Sequence, residues 1–491
     1  MMMSPYTITA LESENQLLQQ LWSRWFSDIH SQKAFHALLE FFPVQVFDEN
    51  QLVPTFHDVR RAFDRELIQY AVKANPRAVP LLAKAGCQFE VASEGEIELL
   101  RRHGVVMASV LYTNPSRSSL ENKLAIKAGI RRFVCHGREG LESLREGLDQ
   151  AISYAREHQL AEGHPAYVDP HTELDILIRL EVDKHGVVST GAGISNVRFG
   201  TNPEHAVELM IQCAQPVSAG GFGFKPYGVS FHVGSDEQNP EVWRIPIEHA
   251  FYVFDESYKR AGILLKEVDI GGGLPFQRRG VKKHRAFALA IRGYFQEYFG
   301  KDYDNNILVS LEPGRALASS AGVTFTKIID IKKRQIHKQD GTKGDVLVVT
   351  ENGGWVNAGL VAFGYKTYAF TFEDQQGFCD CPGSEMALAK TYGETCTDFD
   401  NSGEHTLHAS IKRGDNLVFL GTGVYANEFK SHLCSLQPPL VIWVKEGEAF
   451  PSFRDFTAQV KQRMHTLERS HVMLREEINE LYSLFDMATK N

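Results

Sequence analysis

Residues 68–76 of the chain are Ile-Gln-Tyr-Ala-Val-Lys-Ala-Asn-Pro. The β-favouring residues of this stretch predict a strand that carries Lys73 at its end, where Asn75 and Pro76 stop it. A lysine in an apolar setting loses its proton readily, because desolvation disfavours the ammonium form. Such a lysine is suited to forming a Schiff base, whereas a strand-end lysine in solvent is the ordinary alternative.

Predicted strands alternate with predicted helices around Lys73, and this pattern predicts a (β/α)8 TIM-like barrel. Eight strands are expected, at Ile68–Val72, Phe89–Ala92, Ser109–Tyr112, Arg132–Cys135, Ile176–Val182, Val229–His232, Glu267–Ile270 and Ile307–Glu312. Functional residues of this fold lie at the carboxyl ends of strands. Candidates at or just beyond such ends are Lys73, His232, Gly271 and Glu312. Glu90 and Arg179 fall inside their predicted strands.

The pattern changes after residue 320, where strands are predicted at Phe325–Ile331, Asp345–Thr350, Leu417–Leu420 and Leu440–Val444. We expect a second, all-β domain, a β-sandwich or barrel, over residues 321–446, joined by a strand near 43–47. The barrel domain then spans residues 43–320. A helical extension (1–42, with a helix over 11–40) precedes it, and a helical tail (447–491) ends the chain.

The tail has apolar residues at alternating steps of four and three, interrupted by His471, which predicts an amphipathic helix. This helix packs either on its own chain or on a second copy. A polar segment, 161–174, is a further insertion between barrel elements.

Composition excludes several classes of protein. The 491 residues are 43% hydrophobic and 23% charged, which is typical of a soluble globular chain. The net charge of −9 argues against a nucleic-acid partner, and neither a membrane span nor a signal peptide is evident. Seven scattered cysteines predict a reducing, cytoplasmic location, and Cys379-Asp380-Cys381 is too tightly spaced for zinc, so no metal site is expected.

Two segments combine residues suited to binding a phosphate. Gly271, Gly272 and Gly273 follow a predicted strand, and consecutive glycines let backbone N–H groups approach an anion, although tight turns use them too. In Glu312-Pro-Gly-Arg315, a carboxylate and a guanidinium leave one strand end. They form either a simple ion pair or a site in which Glu312 keeps a ring nitrogen protonated while Arg315 helps to hold a phosphate.

Five segments together resemble one family. YAVKANP (70–76), HVGS (232–235), GGG (271–273), EPGR (312–315) and GETC (393–396) resemble, in order and spacing, the fold type III pyridoxal-phosphate decarboxylases. This is the family of ornithine, diaminopimelate and biosynthetic arginine decarboxylases. The resemblance covers about residues 43–445 and implies pyridoxal 5′-phosphate as the cofactor and a small amino-acid substrate.

The resemblance also implies roles for individual residues. Lys73 would form the internal aldimine with the cofactor, His232 would stack on its ring and Glu312 would pair with its pyridinium nitrogen. The implied phosphate ligands are Ser235, Gly271, Gly272, Gly273, Arg315 and Tyr425. Glu90 takes the place of an acidic residue near the aldimine, and Arg179 that of an arginine beside it. For a lone histidine such as His232, a core position is the usual alternative.

Cys396 resembles the family's catalytic cysteine. In the family this residue comes from the neighbouring subunit and returns a proton to the substrate α-carbon after carbon dioxide leaves. The resemblance therefore implies a homodimer with active sites shared across the interface. Without the family resemblance, a buried, inert cysteine is the better interpretation of Cys396.

The residue after Cys396 departs from the family pattern. Ornithine- and diaminopimelate-type members carry an acid there, against the substrate's distal amine, whereas this chain has Thr397. A second acid of ornithine decarboxylases aligns near Phe363-Gly364 and is also absent. Because an unpaired buried charge is costly, we expect a substrate other than free ornithine or diaminopimelate, unless Asp398 compensates. Our hypothesis is an L- or D-amino acid or a conjugate from specialised, siderophore-like metabolism, contacted by Cys396, Thr397, Asp398 and Tyr425.

Two other functions remain open at this stage. Alanine racemases share the barrel-plus-β plan, but they place an arginine at the pyridine nitrogen and lack the Cys396 segment, so Glu312 favours decarboxylation. A non-catalytic homologue acting as a regulator is the other alternative. Such proteins usually lose the aldimine lysine or the cysteine, and this chain keeps both.

Overall fold

The structure is a computed structural model that describes residues 29–182, 198–276, 283–337, 343–360, 366–373, 376–381 and 385–445, with 460–463, 465, 479 and 483. Residues 52–320 form one compact unit, the barrel unit. The described parts of 1–51 and 321–491 form the other, the sheet unit. The sheet unit begins with α1 (Ile29–Leu39) and β1 (Val44–Asp48).

Eight parallel strands close into the predicted barrel. They are β2 (Leu67–Ala71), β3 (Gln88–Val91), β4 (Leu111–Tyr112), β5 (Arg132–Cys135), β6 (Asp175–Arg179), β7 (Lys225–Ser230), β8 (Glu267–Asp269) and β9 (Leu308–Leu311). The ring closes where Leu67 of β2 pairs with Ser310 of β9.

Helices precede, separate and follow these strands. They are α2 (Leu52–Ala62), α3 (Val79–Lys84), α4 (Glu94–Arg102), α5 (Ser119–Ala128), α6 (Arg138–Glu157), α7 (Pro203–Ala214), α8 (Arg244–Ala261), α9 (Lys283–Phe299), α10 (Lys301–Asn305) and α11 (Arg315–Ala318). Their ends follow from local sequence. The start of α5, for example, is a capping box in which Ser118 and Glu121 bond to each other's backbone N–H, and Gly129 ends it at φ 103°. Among the described residues, every helix is too short or too polar to cross a membrane.

Three barrel strands, β4, β6 and β7, differ from their predicted bounds by more than one residue. Strand β6 ends at Arg179, and the next residue, Leu180, forms an isolated bridge with Thr201. Arg179 is therefore the last residue of its strand, and the prediction that it lies inside was wrong. Strand β7 ends at Ser230, so His232 lies two residues beyond it. Residues Met107–Ser109 form a 3-10 turn, which leaves β4 with two residues.

The sheet unit is a nine-stranded sheet that includes β1. Its other elements are β10 (Gly322–His337), β11 (Lys343–Glu351), α12 (Gly354–Ala358), β12 (Lys366–Glu373), β13 (Gly377–Asp380), β14 (Met386–Tyr392), β15 (Asn401–His408), β16 (Asn416–Leu420), α13 (Ala426–Phe429) and β17 (Leu440–Val444). As predicted, the strand near 43–47 joins this sheet, since Val44 pairs with Phe325 and with Leu440. The sequence did not predict β12 to β15.

The terminal extensions are described only in part. The predicted helix over 11–40 is helical at Ile29–Leu39, and residues 1–28 lie outside the described residues. In the tail, Val460 is buried in the sheet unit's core, and Arg463 Nη2 donates to the Pro439 carbonyl at 3.2 Å. Residues 460–463 therefore pack on their own chain, and most of the seam predicted beyond them lies outside the described residues.

Candidate active site

Lys73 lies in a single 3-10 turn, Val72–Ala74, directly after β2. Two contacts fix the chain that follows it. The Tyr70 hydroxyl donates to the Asn75 carbonyl at 3.1 Å, and Asn75 Oδ1 accepts from the Arg77 N–H at 3.1 Å. The predicted stop at Asn75-Pro76 is thus an Asn-capped turn, and it holds Lys73 at the carboxyl end of the barrel, the barrel mouth.

Glu90 is the ion-pair partner of Lys73. Its side chain is fully buried, whereas that of Lys73 is 44% exposed. The second Glu90 oxygen accepts a hydrogen bond from the Thr113 hydroxyl at 2.6 Å. A buried carboxylate needs such partners, so Thr113 orients Glu90 and Glu90 in turn orients the lysine amine.

Glu312 and Asp269 form a second carboxyl pair at the barrel mouth. Burial raises the pKa of Glu312 well above its usual value, and the negative charges of the nearby Asp269 and Glu90 raise it further. Burial likewise raises the pKa of Asp269 to about 6, which hydrogen bonds to Glu312 and Gly271 moderate. Their mutual hydrogen bond raises the pKa of Glu312 and lowers that of Asp269, so Glu312 is the donor and Asp269 the acceptor.

The three glycines bring the backbone against His232. The Gly272 N–H donates to His232 Nδ1 at 3.0 Å, so the hydrogen of the neutral ring is on Nε2. A Cβ atom on Gly271 would lie 2.2 Å from the Phe231 carbonyl oxygen, and one on Gly273 would lie 2.8 Å from the Gly234 carbonyl oxygen. Both glycines also have positive φ, so no other residue fits there without moving the backbone.

Arg315 and Ser235 complete the polar groups around this turn. The guanidinium is buried, and its Nε donates to Ser235 Oγ at 3.1 Å. The sequence left open a simple ion pair between Glu312 and Arg315. In the structure, Glu312 is instead hydrogen-bonded to Asp269. A buried guanidinium beside a glycine-rich turn favours an anion.

Arg179 and His136 also lie at the barrel mouth. Burial lowers the pKa of Arg179, and the carboxylates of Glu312, Asp269 and Glu90 oppose that shift. Burial lowers the pKa of His136, and the positive charge of Arg179 lowers it further. Sequence reasoning missed His136, Thr113 and Asp269. The strand-end rule would have found His136, which directly follows β5, and Asp269, the last residue of β8.

Cys396 lies in the sheet unit, on the loop between β14 and β15. Buried Asp400 supports this loop: its carboxylate accepts from the Thr395 hydroxyl at 2.6 Å and from the Val356 N–H at 2.8 Å. The Cys396 thiol is exposed, which corrects the buried alternative, and its sulfur lies 3.7 Å from that of Cys434. The hydrogen bond with Cys434 raises the pKa of Cys396.

The remaining predicted substrate and phosphate residues also belong to the sheet unit. Thr397 is half-buried, with its hydroxyl 3.1 Å from that of Thr395, and Asp398 is exposed. Tyr425 has φ 60°, an uncommon conformation for a residue with a side chain, at the start of α13. The structure thus brings together the predicted barrel residues, whereas Cys396, Thr397, Asp398 and Tyr425 lie in the other unit.

The barrel mouth suits pyridoxal phosphate. It offers an amine on Lys73, an acid on Glu312, and a glycine turn beside buried Arg315 that would accept a phosphate. The described ranges hold no group of three or more His, Cys, Asp or Glu side chains placed to bind a metal ion.

Known proteins resemble this chain along most of its length. A diaminopimelate decarboxylase of Aquifex aeolicus is 24% identical over 395 residues, covering 79% of this chain and 83% of the relative. A lysine/ornithine decarboxylase of Selenomonas ruminantium is 27% identical over 296 residues, covering 60% of this chain and 65% of the relative. The arginine decarboxylase of Paramecium bursaria Chlorella virus, solved with agmatine, has the same fold, with a TM-score of 0.61 at 20% identity, covering 82% and 97% of the two chains.

The family assignment rests on the barrel. The family model described as the pyridoxal-dependent decarboxylase, pyridoxal binding domain, matches residues 49–319, which is more than half of the chain. The chain belongs to the fold type III pyridoxal-phosphate-dependent amino-acid decarboxylases, a family of carboxy-lyases whose cofactor is pyridoxal 5′-phosphate.

Proposed function

We propose that this protein removes the α-carboxylate of an amino acid or amino-acid conjugate and releases the corresponding amine. The observation that carries the proposal is the Lys73–Glu90 ion pair at the carboxyl end of the barrel. Lys73 is also close enough to Glu312 for its positive charge to lower the pKa of that carboxyl group. The amine and the acid are the two groups that this reaction requires of the protein at one end of the cofactor site.

When bound, pyridoxal phosphate supplies the electron sink that makes loss of carbon dioxide possible. Lys73 would hold the cofactor covalently through its amine. Glu312 would face the ring nitrogen and keep it protonated. Glu90 fixes the lysine amine, and Arg179 offsets the negative charge of the carboxylates beside it.

His232 would stack on the cofactor ring, and the Gly272 N–H already fixes the orientation of the imidazole. Arg315, Ser235 and the backbone of the three-glycine turn would hold the phosphate, and the family resemblance adds Tyr425 as a further donor. The hydrogen bond between buried Arg315 and Ser235 supports this phosphate site.

Cys396 returns the proton to the substrate α-carbon. The hydrogen bond with Cys434 raises the pKa of Cys396, which favours the protonated thiol that a proton donor needs. We propose that the protein acts as a homodimer in which this loop serves the site of the neighbouring subunit.

The substrate is proposed to lack a free distal ammonium group. Thr397 is a neutral residue whose hydroxyl is already close to that of Thr395, so it offers an ammonium little compensation for desolvation. Exposed Phe399, packed edge-to-face on Trp355 at 6.0 Å, adds an apolar surface to the same loop. A conjugated amino acid, as in siderophore-like metabolism, fits these features better than ornithine or diaminopimelate.

A panel of free and conjugated L- and D-amino acids, with carbon dioxide detection, tests this function. We expect carbon dioxide from a conjugate, with ornithine, lysine and diaminopimelate as poor substrates and with Lys73→Ala inactive. Fast turnover of ornithine or lysine would refute the substrate assignment alone. Racemisation without carbon dioxide release would instead support a racemase, and a wild-type protein that cannot be loaded with cofactor would support a non-catalytic regulator.

A further inference from the structure

Two exposed thiols face each other on separate loops of the sheet unit. Cys396 lies between β14 and β15, and Cys434 lies in the turn Leu433–Ser435 before β17. All seven cysteines are free thiols. Cys87, Cys135, Cys213 and Cys381 are buried and Cys379 is half-buried, so Cys396 and Cys434 alone are both exposed and adjacent.

The backbone at Cys434 is unusual. Cys434 and Ser435 have φ values of 60° and 59°, the left-handed region that residues with side chains seldom adopt. Such conformations persist where the surrounding structure enforces them, and they concentrate at functional sites. The result here is a cysteine whose sulfur lies 3.7 Å from a second sulfur 38 residues away in the chain.

We propose that Cys396 and Cys434 are a redox-sensitive modification site that forms a reversible intramolecular disulfide. The sulfurs lie 3.7 Å apart on two exposed side chains, and a disulfide requires that they approach to about 2.0 Å. Bond formation does not depend on the proposed function. Its effect on turnover rests on the proposed function, because the disulfide removes the thiol that we assign to proton return.

The oxidant is a peroxide. One thiol gives up its proton, its thiolate attacks the peroxide and becomes a sulfenic acid, and the hydroxide that leaves takes up that proton as the first water. The second thiol does the same: its thiolate attacks the sulfenic sulfur, the S–S bond forms, and the leaving hydroxide takes up the second proton as the second water. Two thiols are thereby oxidised by two electrons in total and the peroxide is reduced to two waters. A small dithiol reverses the reaction by exchange.

The test uses the full chain loaded with pyridoxal phosphate. After treatment with hydrogen peroxide, digestion with trypsin without reduction separates the two cysteines, because residues 391–412 and 431–445 are different tryptic peptides. We expect mass spectrometry to find these two peptides linked and dithiothreitol to separate them. No such link, or a link only between two chains in a denaturing gel, would overturn the proposal.

Matched variants separate this site from general oxidation. Cys434→Ser should abolish the link, and Cys379→Ser should preserve it. Wild-type activity should fall in proportion to the fraction of linked chains and return with dithiothreitol, whereas Cys434→Ser should show no activity that dithiothreitol restores. If the link forms and activity stays unchanged, the disulfide stands and the catalytic assignment of Cys396 fails.

Discussion

The barrel mouth and the Cys396 loop both depend on buried carboxylates, but they use them differently. In the barrel mouth, Glu90 pairs with Lys73 and Glu312 is hydrogen-bonded to Asp269, and the proposed function makes the charges and protons of these carboxyl groups part of the chemistry. In the sheet unit, Asp400 and Glu351 accept backbone N–H bonds and hold loops in shape, while Cys396 stays exposed. Neutralising a barrel carboxylate should therefore change the reaction, and neutralising a sheet carboxylate should change stability or loop position.

Glu312→Gln should have the largest of these effects. The amide cannot keep a ring nitrogen protonated, so we expect kcat to fall by roughly 10²–10³-fold. Cofactor content, followed by visible absorbance, should stay near the wild-type level. The matched control is Asp269→Asn, which contacts Glu312 and should cost less. Equal losses in the two variants would show that the pair, rather than Glu312 itself, is required.

Cys396→Ala should lower turnover by roughly 10²-fold, the usual contribution of a positioned acid. Cofactor binding should be unchanged, because the residue lies outside the barrel unit. The product mixture should shift from amine toward the carbonyl product of transamination, which chromatography of the products measures. Unchanged turnover and product ratio would remove Cys396 from its assigned role, and Cys379→Ala serves as the control.

Asp400→Asn should displace the Cys396 loop without touching the reacting atoms. Asparagine keeps one acceptor, but it weakens the bonds to Thr395 and Val356. We expect roughly a tenfold loss of kcat, in line with small misplacements of catalytic groups, and the same product shift as in Cys396→Ala. A fall in activity with the wild-type product ratio would indicate a general loss of folded protein instead.

The smallest effect concerns Glu351 and the pH dependence of stability. Burial raises the pKa of Glu351 to about 7, despite the hydrogen bonds from Gly353, Gly354 and Ser402. The folded state therefore binds more protons than the unfolded state between about pH 4.5 and 7, and stability falls as pH rises through that window. Asp269 and Glu312 contribute with the same sign.

Glu351→Gln removes only the Glu351 contribution. Between pH 5 and 8, the melting temperature of the variant should fall less steeply than that of the wild type. Over this range the wild type should lose on the order of 1–3 kcal/mol more of its free energy of unfolding than the variant does. The same dependence of melting temperature on pH in the two proteins would show that Glu351 does not titrate in this range.

The sequence predicted the barrel residues because the rule that governs them is local. Lys73, His232 and Glu312 follow apolar strands, and the carboxyl ends of parallel barrel strands meet at one face. The partners of these residues were not predicted. Thr113 directly follows β4, the strand that pairs with the strand of Glu90, and such a contact depends on register rather than on composition.

The sheet unit was less predictable for similar reasons. Strand β15, Asn401–His408, is mostly polar, since one of its faces is solvated, and it gave no strong strand signal. The meeting of Cys396 with Cys434 is set by two loops and by a left-handed turn at a residue that has a side chain. No local pattern predicts such a turn.

The central claim is that Lys73 is the residue that binds pyridoxal phosphate. Borohydride reduction of the loaded protein, followed by peptide mapping, tests it most directly. The account predicts a pyridoxyl group on the peptide containing Lys73, and none on that peptide in Lys73→Ala, while the exposed control Lys84→Ala labels as the wild type does. A label on another lysine, or a wild-type protein that takes up no label, would contradict it.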